Sequence, residues 1–227
     1  MTLAYIIHLA DYSDGVLYVL AFLLLVALAV MIDRFWSLRS TIIHGKTIIN
    51  MTAAQGQLDR TALQNLRDKA AKLPEAAVLD CAARNHGTST GEGLANRMDE
   101  AIMLIAPNLD QRLWVLDTVI TLAPLLGLFG TIIGMFHAFS VLASPGHAPA
   151  DVTAGVADAL VATAFGIFIA MIGLSAFNAL NNQVRIILHQ LDTLKLMIIN
   201  RTDGAPMVAA RSNNAAQRSP TSAMQNA

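Results

Sequence analysis

The sequence predicts an all-α, polytopic membrane protein: three transmembrane helices and a cytoplasmic helical region, with the N-terminus outside and the C-terminus inside. Three observations predict it. Of 227 residues, 55% are hydrophobic and the mean hydropathy is +0.52, too apolar for an ordinary soluble domain of this size. Three apolar runs have the length, about 17–25 residues, that a helix needs to cross a bilayer. The basic residues are confined to alternate segments between those runs, as the positive-inside rule requires.

Residues 1–15 form a short outer N-terminus. Asp11 and Asp14 precede the first apolar run and no Lys or Arg does, the reverse of a signal peptide's basic start, so no cleavable signal is expected. Residues 16–32 (VLYVLAFLLLVALAVMI) are the first transmembrane helix, closed by Asp33, Arg34 and the interfacial pair Phe35-Trp36. Residues 33–114 are a cytoplasmic helical region. Ten of the 15 Lys and Arg residues fall between Arg34 and Arg112. Within it, Asp59 to Leu73 keeps apolar or Ala positions on one face and stops before Pro74. The segment HGTSTGEG reads as a turn. Ser89 with Glu92 fits a capping box for a helix from Gly93 onward, in which Pro107 marks a kink.

Residues 115–142 and 152–180 are the second and third transmembrane helices. They form a hairpin through the outer link 143–151, which holds Pro145, Gly146 and Pro149 and no Lys or Arg. The other five basic residues follow the third span (Arg185, Lys195, Arg201, Arg211, Arg218). Residues 181–202 continue as a cytoplasmic helix. Its apolar seam, Ile186, Ile187, Leu188, Leu191, Leu194, Met197 and Ile198, is expected to pack on the same region in neighbouring helices. Residues 203–227, rich in Ala, Ser, Asn, Gln and Pro, read as a disordered tail.

Several function classes fall away. A net charge of −1 argues against a nucleic-acid partner. Cys81 is the single cysteine, so it cannot form an internal disulfide and reads as a cytoplasmic thiol. The six histidines are scattered, with no metal-ligand spacing, Walker loop or nucleophile elbow. The chain therefore reads as a non-enzyme with no metal and no cofactor. Gly127, Gly130 and Gly134 lie inside a membrane span, without the strand a nucleotide loop needs.

What remains is polar groups at membrane depth. Thr118 to Ala150 is the longest stretch without a formal charge, yet it is broken by Pro124, Gly127, Gly130, Thr131 and Gly134. Small residues at that density suit a helix packed closely on others or lining an ion path. At 100° per residue, Asp117 and Gly127 lie about 40° from Thr131 and Pro124 about 20°. In the third span, Val156, Ala159, Thr163, Gly166 and Ala170 form a comparable stripe. Thr131 and Thr163 sit at matched depth, roughly 16 Å along each helix from its outer end. Each threonine has two readings: a hydroxyl bonded to its own helix carbonyl, or one wall of a polar constriction. Asp158 is a carboxylate about a turn and a half inside the third span, costly there unless protonated, paired or near water. It points about 140° from Thr163 and so toward a neighbouring subunit. Asp117 lies near the cytoplasmic boundary, where it can snorkel to water. His137, deep in the second span, reads as a hydrogen-bonded packing residue.

At these residues the chain resembles the ExbB/TolQ/MotA family of proton-channel subunits. The resemblance is carried by LAPLLGLFGTIIGMFHAF (Leu122 to Phe139) and GVADALVATAFGIFIA (Gly155 to Ala170). One span, a cytoplasmic helical region and a hairpin of two spans follow the family's layout. LDTVITLAPLLG looks like the ExbB branch and His137-Ala138-Phe139 like TolQ, with ExbB narrowly favoured. Asp158 stands where ExbB and TolQ carry glutamate, and Met171-Ile172-Gly173 stands where the family has a proline.

The resemblance implies a location in the bacterial inner membrane, with residues 1–15 and 143–151 periplasmic. It implies a homopentamer around two copies of the single membrane helix of an ExbD- or TolR-like partner, whose aspartate binds and releases protons. Thr131 and Thr163 match the family's pore-facing threonines. The expected output is mechanical work through a TonB-like protein, energising outer-membrane import, or through a TolA-like protein of the Tol-Pal envelope system. Rival readings are a non-conducting scaffold for a single-span partner and a self-contained channel.

Overall fold

A computed structural model of the chain describes residues 15–87, 91–142 and 149–202. Among them the secondary structure is helical, with no strand: α1 (Val16–Ala53), α2 (Arg60–Lys69), α3 (Glu75–Asn85), α4 (Gly91–Leu109), α5 (Leu113–Leu142) and α6 (Pro149–Thr202). Three are long and apolar enough to cross a membrane: Val16–Ala53, Leu113–Ser140 and Gly155–Thr202. The expected N-terminal segment, the Ser89 cap, most of the outer link and the tail lie outside the described residues.

The all-α class with three spanning helices is as the sequence predicts. The first helix does not stop at the charged pair Asp33-Arg34 but runs 38 residues to Ala53. The third runs 54 residues, from Pro149 through the apolar seam to Thr202. Neither membrane exit carries a Gly or Pro to end the helix, and proline at a first helical position supplies a φ already suited to it. The stretch expected as one helix from Asp59 to Leu73 is shorter, ending at Lys69 in a turn that leads to Pro74. Pro107 is accommodated inside the last turn of α4, which ends two residues later.

The chain forms two compact units, one of Met1–Ser40 with Pro107–Ile186 and the other of Thr41–Ala106 with Ile187–Ala227. In the first, α1 buries Val16, Leu17, Leu20, Ala27, Arg34 and Leu38 along one stripe, a helical spacing of three, four and seven residues. Leu17 and Ala162 are buried together, with Val161 packed against them. A short turn at residues 110–112 leads into α5, and in it Arg112 adopts φ +68°. Arg34 donates from Nη2 to the Gln111 carbonyl and Arg112 Nη1 lies 2.9 Å from Asp33 Oδ2, so the turn is held by two side chains of its unit.

In the second unit, α2 packs on α3 through buried Leu63 and Leu66 on one side and Val78, Leu79, Ala82 and Ala83 on the other. Ile187, Leu191, Leu194 and Ile198 are fully buried within the chain. The apolar seam is thus used internally, while Ile186 stays exposed. Arg201 donates to the carbonyls of Gln55 (2.8 Å) and Ala53 (3.2 Å), satisfying acceptors that the end of α1 leaves without helical partners. Lys195 Nζ meets Asp99 Oδ1 at 2.5 Å.

Candidate functional site: the α5–α6 seam

The small residues of α5 and α6 face each other in antiparallel register. A Cβ placed on Gly127 would lie 2.8 Å from the Ala162 carbonyl oxygen and 3.0 Å from Thr163 Cα. One on Gly134 would lie 2.7 Å from Ala159 Cβ, and one on Gly166 would run into the Ala123 carbonyl. These glycines are required by close helix approach, the mode of association that membranes favour because lipid provides no hydrophobic drive. Gly130 marks the meeting of three helices: its added Cβ would lie 2.9 Å from Ala162 Cβ on α6 and 3.1 Å from Val16 Cγ1 on α1.

Both threonines lie on this seam. Thr163 Oγ1 donates across the helix pair to the Gly127 carbonyl at 2.9 Å. In α-helical register that carbonyl also accepts the amide of Thr131, four residues on. Thr131 is 8% exposed, and its hydroxyl donates to the Leu128 carbonyl of its own helix at 2.6 Å. The structure therefore brings the two threonines to one turn of α5, one hydroxyl bonded within its helix and the other bonded between helices. Each proton is committed to a backbone carbonyl. The oxygen lone pairs remain, so both hydroxyls act as acceptors toward any further partner.

Of the other candidate residues, Pro124 is half-buried on α5, next to Ala123. Asp117 is exposed one turn inside α5, and its carbonyl accepts the Thr121 hydroxyl at 3.3 Å. Asp158 belongs to α6, but its side chain lies outside the described residues. The Phe136 and His137 rings meet edge-on with centroids 6.0 Å apart.

Two seam contacts are not evident from the separate helical wheels. Ala162, adjacent to Thr163, is the partner of both Gly127 and Gly130, and Gly173 takes the Ile120 side chain, 2.9 Å from where its Cβ would be. The signal was present as small residues at complementary positions of an antiparallel pair. Reading it needs the register, which no single helix carries.

The pattern of the MotA/TolQ/ExbB proton channel family matches residues 59–193, more than half of the chain. The sequence is 37% identical over 97 residues to the Tol-Pal system protein TolQ of Haemophilus influenzae, covering 42% of each chain. It is 29% identical over 160 residues to the biopolymer transport protein ExbB of Neisseria gonorrhoeae, covering 66% of this chain and 68% of that one. It is 41% identical over 88 residues to TolQ of Pseudomonas aeruginosa, covering 38% of each. The two TolQ alignments thus span less than half the length of those relatives.

Proposed function

This chain belongs to the MotA/TolQ/ExbB proton channel family, and from that premise we propose that it is the ring-forming subunit of an ExbB-like inner-membrane motor. Its N-terminus lies in the periplasm and its C-terminus in the cytoplasm. Five copies surround two membrane helices of an ExbD- or TolR-like partner, and proton passage drives movement of a TonB- or TolA-like protein. The observation that carries the reading is the seam: two hydroxyls gathered at one turn of a glycine-packed hairpin, in spans that are predominantly apolar.

The chemistry follows from which hydroxyl atoms are free. The two protons are held by backbone carbonyls, so Thr131 and Thr163 offer lone pairs to the partner. A neutral carboxylic acid can donate to them and a carboxylate cannot. A hydrogen bond made to the neutral form holds an acid's proton on. The wall therefore keeps the partner's aspartate protonated within the membrane and lets it discharge where water reaches it. Each proton crossing releases about 2.3 kcal/mol per 100 mV. Asp158, on the other side of α6 by helical spacing, belongs to a contact between subunits. Its shorter side chain sets the carboxyl back by about one methylene from where a glutamate would hold it.

The ExbB assignment draws on the longer alignment, which reaches two thirds of both chains. The higher identity over a shorter stretch favours TolQ as the second reading. The test is proton uptake by vesicles holding the chain with its partner. Thr131→Val with Thr163→Val should abolish uptake while the complex still purifies intact. Uptake at the unmodified rate in that double variant removes the threonines from the path.

A further inference from the structure

Glu75 is the most deeply buried acid among the described residues: its relative exposure is 0%, and neither carboxyl oxygen has a hydrogen-bond partner. It opens α3 directly after Pro74, a position where an acid ordinarily sits in water and complements the helix dipole. Here it is folded inward against Gly45 of α1. A Cβ on Gly45 would collide with Glu75 Oε1 and approach Gln190 Oε1 to 3.1 Å. The absent side chain of Gly45 makes the space for the carboxyl.

The third member of this cluster is also an acceptor. Gln190 Nε2 donates to the Ile42 carbonyl at 3.3 Å, which turns Gln190 Oε1 toward Gly45, where it is buried without a partner. In this orientation the amide keeps its bond to the Ile42 carbonyl, which the reversed amide would give up in order to turn its NH2 toward Glu75. Three oxygens that can only accept thus converge on one dry site. An ionised Glu75 would be an uncompensated buried charge facing an amide oxygen. A protonated Glu75 supplies the one donor the cluster lacks.

We propose that Glu75, Gly45 and Gln190 form a proton-binding site in the second unit, in which Glu75 keeps its proton and donates it to Gln190 Oε1. Burial raises the proton affinity of Glu75, while its own backbone amide pulls the other way. The charged and titratable groups on the elements around the site are His44 and Lys46 beside Gly45, Lys72 before α3, and His189 and Asp192 beside Gln190. All five are exposed, and none contributes to the shift. Glu75, Gly45 and Gln190 all belong to the second unit. The site couples the packing of three helices to the pH of the compartment that bathes this unit.

The linkage has a definite sign. The folded protein binds this proton more tightly than the unfolded chain, so the contribution to stability is complete below the unfolded carboxyl pKa, about 4.3. It is lost as pH rises through the higher folded value. Infrared spectroscopy of the purified full-length chain should show a protonated carboxyl C=O band at neutral pH that Glu75→Gln removes. The melting temperature of the unmodified protein should fall as pH rises through the midpoint of that band. Glu75→Gln, which keeps a donor toward Gln190, should flatten this slope and be the more stable protein at alkaline pH. Gln190→Met takes away the acceptor but not the burial, and should shift the band while retaining it. If Glu75→Gln removes no carboxyl band at neutral pH, or if the two proteins melt with the same pH dependence, the site is ionised and the proposal is wrong. A band indifferent to Gln190→Met would likewise overturn the donation to that residue.

Discussion

At the scale of single residues, the Gly127 carbonyl is the hinge of the account, because it joins an interhelical hydrogen bond to a backbone one. Thr163→Val removes only the former. The carbonyl keeps its helical partner, so the loss should be about 0.5–1.5 kcal/mol, measured by denaturant titration of the purified assembly. Gly166→Ala is expected to cost more, because its Cβ would meet the Ala123 main-chain carbonyl, which can yield only if the helices part. Thr163→Val proving the more damaging of the two would show that the seam depends on the hydroxyl and not on close packing. The positions of these residues on one face could be read from the 100° repeat. The partner of each hydroxyl could not, because a threonine inside a helix can serve its own turn or the next helix equally well. In this hairpin Thr131 does the first and Thr163 the second.

At the scale of elements, the apolar runs and the basic clusters made all three spanning helices legible. The continuation of α1 past Asp33 and Arg34 was not, because charges at a membrane boundary look the same whether the helix ends there or emerges into water. The structure gives these two residues a use in shaping the turn into α5. Arg34 is 8% exposed and serves the Gln111 carbonyl. Arg34→Met leaves that acceptor without its donor and should destabilise by about 1–3 kcal/mol. Arg112→Gly should be near neutral. It gives up an exposed ion pair with Asp33, worth about 0–1 kcal/mol, and relieves a positive φ that costs an ordinary residue about 1–2 kcal/mol. Thermal melts of the two variants under one condition check the order. An equal loss in both would mean that the ion pair holds the turn as strongly as the Arg34 bond does. The division of residues 59–85 into two helices was half visible: Pro74 marks the second start, but nothing in AAK before it signals an end at Lys69.

At the scale of the whole molecule, this chain offers an apolar wall, acceptor hydroxyls at mid-span and a separate buried acid, Glu75, that the sequence disguises as an ordinary first-turn glutamate. Burial is what distinguishes it, and burial depends on Gly45 and Gln190, respectively 30 and 115 positions away. The described part of the two hairpin spans holds no Lys or Arg; Asp117 is exposed near the N-terminal end of α5, His137 meets Phe136 edge-on, and the Asp158 side chain lies outside the described residues. In the proposed reading, the group that carries protons through the centre comes from another polypeptide. Liposomes with an imposed potential and an internal pH dye measure this directly. Vesicles containing this chain together with a single-span partner bearing one membrane aspartate should acidify. Those containing the chain alone, or the chain with the partner's aspartate changed to asparagine, should not. Acidification by the chain alone at a comparable rate would contradict the account.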